Sequence, residues 1–271
     1  MKNIAVLAPN ILNGYSAQML SAMQAESFST EYDIVTYYTK AAGERGGLPY
    51  LLRKILEEKK ASAVIIIAVS PEKDMMEEYK RANVPIVVVE NEVEGAHYVG
   101  VDNREGGYSA GKYLAAEGEE KVGVVLGNVQ QASSQRQRYE GFLKAFAEEN
   151  RKFDERYMWV VEDYNIKAGK EAFRFMLMNE ADAVFCMAGD YVAQGIIGEA
   201  RRQGVNIPGA FSLMGFDDIE ASEEFELTTI KQPLEDIGKT ALKFAVKAAE
   251  DPSVPLQSEI YKTKLVIRKT A

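Results

Sequence analysis

Residues 62–69 read SAVIIIAV, and Ala63 to Val69 is the longest unbroken apolar run of the chain, seven residues. A strand with one wet face alternates apolar and polar side chains. A short run that is apolar at every position fits a strand covered on both faces, as in a parallel sheet. The flanking sequence supplies the partners such a sheet needs. Upstream, IAVLAP (Ile4–Pro9) predicts a first strand, Gly14 to about Glu26 a helix, and YDIVTYY a second strand. LPYLLRKILEEKK has apolar residues at three- and four-residue spacing and predicts a helix. Downstream, Ser70–Pro71 marks a helix start, with Ser70 at the N-cap and Pro71 at the first helical position. VPIVVVE (Val84–Glu90) then predicts a fourth strand and HYVGVD (His97–Asp102) a fifth.

The pattern restarts after Asp102. Helices are predicted over Glu105–Glu117, Arg136–Glu149, Lys167–Met178 and Asp190–Gln203, the last stopped by Gly204 with Pro208 just beyond. Between and after them lie strands at Lys121–Leu126, Tyr157–Val161, Ala183–Met187 and Phe211–Phe216. Strand–helix alternation gives doubly wound parallel sheets with helices on both faces, and here it occurs twice, so the expectation is two similar α/β halves. No Pro/Gly-rich linker separates them, which points to several close strand crossings and not to one flexible tether.

Composition narrows the function. With 46% hydrophobic and 27% charged residues the 271-residue chain can build a sizeable core. Its apolar runs fall far short of the roughly 20 residues a membrane span requires, and MKNIAVLAPN reads as a strand and not as a signal peptide. One cysteine, Cys186, forms no intrachain disulfide, so the expected compartment is a reducing cytoplasm. The net charge is −9, with basic residues scattered among acids, which argues against direct DNA binding by this chain alone. With a single histidine, His97, a His-rich metal site is impossible.

Enzyme signatures of this architecture are missing. The turn Ala8–Gly14 after the first strand has one glycine, so the dinucleotide fingerprint is absent, and no phosphate-binding loop occurs. GERGG (Gly43–Gly47) reads as a loop. No G-x-S-x-G is present, His97 reads as a surface or strand-edge residue, and Cys186 in AVFCM reads as inert core. No metal or cofactor is implied. What remains is a set of polar and aromatic residues at the carboxyl ends of strands, where open α/β sheets bind ligands. These are Asn10 and Tyr15, Glu90 and Asn91, Tyr164, Asp190, and Asp217 with Asp218. Singly each has a plain explanation: Asp190 as a helix N-cap, Asp218 as a turn residue, the tyrosines as core-edge aromatics. Together they would line one cleft if the halves face each other. Carboxylates, an arginine and flat rings suit a small polyhydroxylated or planar polar ligand.

The stretch VGVDNREGGYSAGKYLAAEGEEKVGVVLG (99–127) resembles the second-half entry of the LacI/GalR family of transcriptional regulators, with EGGYSAGKYL close to the purine-repressor branch. RYEGFLKAF (138–146), AVFCMAGDYVAQG (183–195), GVNIPGAFSLMGFDDIEAS (204–222), LTTIKQPLEDIGKTA (227–241) and the terminal KTKLVIRKTA continue the resemblance in order. It implies the type-I periplasmic-binding-protein fold, two subdomains joined by three crossovers. Residues 1–101 and 232–253 would form the first subdomain, and 102–231 and 254–271 the second. By the same resemblance Arg138 is the arginine pointed at the ligand, Asp217 in GFDD the contacting aspartate, and Tyr164 the aromatic that stacks on the ligand. Tyr15 is the aromatic of the first turn, and Gln232 a contacting glutamine at a crossover. Glu90 stands where the family has an aspartate. Gly189-Asp190 stands where sugar-binding members have Asn-Asp, which puts a sugar in doubt without establishing a purine.

The family carries a helix-turn-helix headpiece and hinge helix ahead of this domain, whereas the sequence starts at the first strand. The resemblance therefore implies the effector-sensing domain of a bacterial regulator, a homodimer that reaches DNA only through a headpiece. The alternative is a natural stand-alone binding protein for a sugar or nucleoside. Apolar stripes such as Leu51, Leu52 and Ile55 fit a dimer face or a core equally.

Overall fold

Residues 2–10, 13–39 and 46–271 are described by the structure, a computed structural model. In chain order the elements are β1 (Asn3–Ala8), α1 (Gly14–Ser27), β2 (Asp33–Tyr38), α2 (Leu48–Glu57), β3 (Ala63–Ile67), α3 (Lys73–Arg81), β4 (Ile86–Val89) and β5 (His97–Val101). There follow α4 (Asn103–Ala116), β6 (Val122–Leu126), α5 (Ser133–Glu148), β7 (Met158–Val160), α6 (Ile166–Met178), β8 (Ala183–Cys186), α7 (Asp190–Arg202), β9 (Ser212–Asp217) and α8 (Glu220–Glu224). The chain closes with β10 (Thr228–Lys231), α9 (Leu234–Glu250), β11 (Ser258–Tyr261) and β12 (Lys264–Val266). They form two units, residues 1–101 with 233–261 and residues 102–232 with 262–271.

Each unit is built on one six-stranded sheet, ordered β11-β5-β4-β3-β1-β2 in the first and β12-β10-β9-β8-β6-β7 in the second. The first sheet is parallel throughout; in the second only β12 runs antiparallel, beside β10. β3, the run that decided the fold, pairs on both sides and is fully buried along its length. In the second unit α4 and α5 cover one face, with Leu114, Phe142 and Phe146 in its core, and α6 and α7 the other, with Phe173, Met176 and Ile196.

Several expectations change. Pro71 is buried and the chain stays extended through Glu72, so α3 starts at Lys73, without the predicted Ser70–Pro71 cap. Both α4 and α5 start earlier than their apolar pattern suggests; α4 is capped by Asp102, whose Oδ1 accepts from the Glu105 amide at 2.9 Å. The third crossover follows Tyr261 and not residue 253, because β11 adds to the first sheet beside β5. The first unit accordingly takes 254–261, and Gln232 stays with the second. Leu52 and Ile55 are buried against Met75 and Tyr79, with Leu51 packed alongside, so this stripe belongs to the core. His97 is buried; its Nδ1 accepts from the Gln257 amide at 3.1 Å, and burial, with Lys247 acting the same way, holds its pKa below the ordinary value. Of GERGG, Gly43–Arg45 lie outside the described residues. No described helix is long and apolar enough to cross a membrane.

Glycines set the helix spacing in the second unit. A methyl on Gly141 of α5 would run into the Arg104 carbonyl of α4, and one on Gly107 into the Arg138 carbonyl. Gly169 of α6 and Gly195 of α7 meet the Val192 and Ile166 carbonyls in the same way. Gly198, also on α7, has nothing within 4 Å of a would-be Cβ. Overpacking a well-filled contact costs roughly 1–3 kcal/mol, whereas alanine in an open helix interior gains up to about 1 kcal/mol over glycine. Urea unfolding should therefore show Gly141→Ala destabilised by at least about 1 kcal/mol and Gly198→Ala unchanged or more stable. Equal effects at the two positions would contradict backbone-to-backbone packing of α4 on α5.

Candidate functional site

Parallel strands hidden on both faces leave their carboxyl ends to carry polar groups, and the crevice forms where strand order reverses. In the second sheet the reversal lies between β6 and β8. After β6 the Gly127 amide donates to Gln135 Oε1 at 3.0 Å, and Gln135 Nε2 donates to the Met187 carbonyl just past β8 at 3.2 Å. One helical turn further along α5, Arg138 is 2% exposed. Its Nη1 donates to the same Met187 carbonyl and its Nε to Asn103 Oδ1 on α4, both at 2.8 Å. The guanidinium carbon lies 3.7 Å from the ring centroid of Phe216 on β9, a cation–π contact strengthened by burial. Arg138 is thus fixed in direction by two hydrogen bonds and a ring.

Asp217 ends β9 with φ 126°, and Asp218 follows with φ 56°. Such backbone in non-glycine residues costs on the order of 1–3 kcal/mol each and clusters at functional sites. Gln232, directly after β10, holds Asp217 twice: its Nε2 donates to Oδ1 at 2.7 Å and its amide to the Asp217 carbonyl at 3.0 Å. The Asp217 carboxylate lies against Gly189, whose φ of 105° no side chain adopts easily and whose would-be Cβ falls 2.6 Å from Oδ2. Asp218 is tied outward by Lys231 at 3.0 Å and Arg268 at 2.8 Å. Tyr164 is 40% exposed, and its hydroxyl end covers Gly127, where a methyl would collide with it.

Asp190 takes a different place from the one expected. Gly189 is the N-cap, and Asp190 is the first residue of α7. Its carboxylate is wholly buried: Oδ1 accepts from Thr229 Oγ1 at 2.8 Å, and Oδ2 from Ser222 Oγ at 2.6 Å and the Asp218 amide at 2.8 Å. Burial pushes its pKa up to about 7, against the downward pull of these hydrogen bonds. A carboxylate so enclosed binds protein groups.

The first unit repeats the arrangement at its own reversal, between β1 and β3. Asn10 Oδ1 accepts from the Asn13 amide at 3.2 Å, and Asn13 in turn caps α1 through the Ser16 amide at 2.8 Å. Tyr15 sits in the first turn of α1, 8% exposed. After β3, Ala68 has φ 62°, and after β4, Glu90 has φ 78°. Asn91 Nδ2 donates to the Ala68 carbonyl at 3.2 Å, and the Tyr98 hydroxyl donates to the Glu90 carbonyl at 3.4 Å. The left-handed residues thus follow β3 and β4 here, as they follow β8 and β9 in the second unit.

The structure brings Arg138, Asp217 and Gln232 to one strand end region of the second unit, with Tyr164 over the β6 turn. It places Asn10, Tyr15 and Glu90 at strand ends of the first. Sequence reasoning passed over Asn103 and Phe216, which orient Arg138, and Gln135, which donates to the same Met187 carbonyl; neutral amides and a core phenylalanine carry no motif of their own. Among the described residues no group of three or more His, Cys, Asp or Glu is placed to hold a metal ion. The Cys186 thiol is fully buried, and that burial raises its pKa far above the ordinary value.

Residues 112–271 match the periplasmic binding protein-like domain family. The chain is 30% identical over 267 residues to the HTH-type transcriptional repressor PurR of Yersinia enterocolitica, covering 93% of this chain and 75% of that protein. A LacI family transcriptional regulator from Enterococcus faecium, solved with bound ribose, superposes with a TM-score of 0.88 at 23% identity, covering 100% of this chain and 98% of that one. A periplasmic binding protein/LacI transcriptional regulator from Alkaliphilus metalliredigens, complexed with D-xylulofuranose, gives 0.85 at 24% identity, covering 100% and 99%.

Asp190 links this site to pH. Its raised pKa means that the folded chain holds more protons than the unfolded chain between about pH 4 and 7. Its contribution to stability is therefore full below pH 4 and is lost as pH rises to about 7, at up to about 1.4 kcal/mol per pH unit. Asp190→Asn removes the ionisation. Its stability relative to the wild type in urea titrations should rise steadily from pH 4 to 7 and level off above; a flat difference would contradict a buried, proton-retaining Asp190.

Proposed function

Because the chain belongs to the LacI family of transcriptional regulators and to its periplasmic binding protein-like domain, we propose that it is the effector-binding domain of such a regulator. It takes a sugar, nucleoside or nucleobase-like molecule at the carboxyl ends of its strands. The observation that carries this reading is the preset geometry of Arg138, Asp217 and Gln232 at the strand ends of the second sheet. The guanidinium donates to ligand oxygens, the Asp217 carboxylate accepts from ligand hydroxyl or N–H groups, and Tyr15 and Tyr164 offer flat faces to the apolar sides of a ring. Asn10 and Glu90 contribute the corresponding acceptors from the first unit. The neighbours holding ribose and D-xylulofuranose favour a polyhydroxylated ligand.

The regulator works by differential affinity. A ligand that binds one of two states about 100-fold better shifts the balance between them by roughly 2.7 kcal/mol. The domain acts in the cytoplasm as a homodimer. With a net charge of −9 it gains little from counterion release, so DNA contact falls to a headpiece and not to these residues. The Arg138 and Asp217 side chains bind and do no catalysis.

A thermal-shift panel of ribose, xylulose, cellobiose, adenosine, guanosine and hypoxanthine tests the reading. One chemical class should raise the melting temperature by about 5 °C or more at saturating concentration. Asp217→Asn should weaken that ligand by a factor of about 30 or more, since it removes one partner of a charged hydrogen bond; Tyr164→Ala should weaken it less. Wild-type affinity in Asp217→Asn, with unchanged folding, would move the site elsewhere. Sedimentation at micromolar concentration should give twice the chain mass, and a clean monomer would overturn the homodimer.

A further inference from the structure

We propose that Asp190 is a positioning residue for Asp217: its buried carboxylate holds the turn after β9 in the left-handed backbone that aims Asp217. The proposal rests on the reading of Asp217 as a ligand contact and goes beyond it, since Asp190 itself touches no ligand.

Three observations carry it. First, the two oxygens of Asp190 gather donors from three separate elements: Thr229 on β10, Ser222 on α8 and the Asp218 amide in the turn. Second, the Asp218 amide belongs to the peptide that joins Asp217 to Asp218, the two residues with φ 126° and 56°. A hydrogen bond to that N–H fixes the orientation of that peptide and so the direction in which the Asp217 side chain leaves the backbone. Third, the carboxylate has no room to relax: it lies against Gly215 of β9, where a methyl would collide with Oδ1. Gln232 holds Asp217 from the β10 side, so the strained residue is clamped between two buried anchors.

Protonation changes the anchor. The charged carboxylate accepts all three bonds; a protonated one must also place a hydrogen among the same groups and grips the Asp218 amide more weakly. The titratable and charged groups around Asp190 are Cys186 on β8, Asp217 and Asp218 at the end of β9, and Lys231 and Arg268, which pair with Asp218. Loss of the Asp190 charge near neutral pH thus loosens the direction of Asp217.

The test needs no ligand. In isotope-labelled wild-type protein, carbon and amide NMR resonances are followed from pH 5 to 9. The Asp190 carboxyl carbon, the Asp217 carboxyl carbon and the Asp218 amide should share one titration step near pH 7. Thr229→Val keeps the shape and removes one donor, so all three should move together to a midpoint about one pH unit higher. In Asp190→Asn the step should vanish from Asp217 and Asp218, and their backbone couplings should leave the left-handed values. If Asp217 and Asp218 titrate independently of Asp190 in wild type, or keep their midpoint in Thr229→Val, the proposal fails. A chain that ignores every compound of the panel but shows the shared step contradicts the ligand reading and leaves the positioning role standing.

Discussion

A parallel strand covered on both faces has only its ends to offer. β3, β4 and β5 of the first sheet and β6 and β8 of the second are buried along their whole length, so polar functions gather in the turns that leave the strands' carboxyl ends. Those turns must do two opposed things: point a charged side chain outward and keep a strained backbone from relaxing. Buried side chains that bind the backbone of the turn solve this. Asn91 does so for the Ala68 carbonyl in the first unit and Asp190 for the Asp218 amide in the second, while Gln232 holds Asp217 through its own amide to the carbonyl and its side chain to the carboxylate.

The same constraint explains the helices. A turn is rigid only if the helix it feeds is rigid, and α4 and α5 approach so closely that glycines replace side chains at Gly107 and Gly141. That contact fixes Asn103 and Arg138 relative to each other, because they lie on the two helices in contact. Phe216 then backs the guanidinium from the sheet. Orientation of one arginine therefore draws on a helix pair, a strand and the Met187 carbonyl. An arginine set before a ligand arrives loses little freedom on binding.

Much of this was legible from residues. SAVIIIAV announced a doubly covered strand, and the strand–helix rhythm through Phe216 announced two sheets. The strand-end rule brought Glu90, Tyr164 and Asp217 forward, and the family resemblance added Arg138 and Gln232. The rest failed for physical reasons. β11 is short, and three of its four residues are exposed, so no periodicity marks it as a sheet strand; only its pairing with β5 moves the third crossover to Tyr261. Ser70–Pro71 carries the local chemistry of a helix start, yet tertiary packing buries Pro71 and delays α3. Asp190 has the right type and place for an N-cap. Its true partners, Ser222 and Thr229, lie 32 and 39 residues away, beyond any local pattern.

Ligand binding at the strand-end groups of these sheets can be seen directly. Its most direct test is a crystal structure of the chain with the compound that stabilises it most. Ligand density is expected within hydrogen-bond distance of both Arg138 and Asp217, with Arg138 still stacked on Phe216. Density elsewhere, for instance in the shallow apolar hollow lined by Ile55, Leu56 and Val84, with no ligand atom near Arg138 or Asp217, would contradict it.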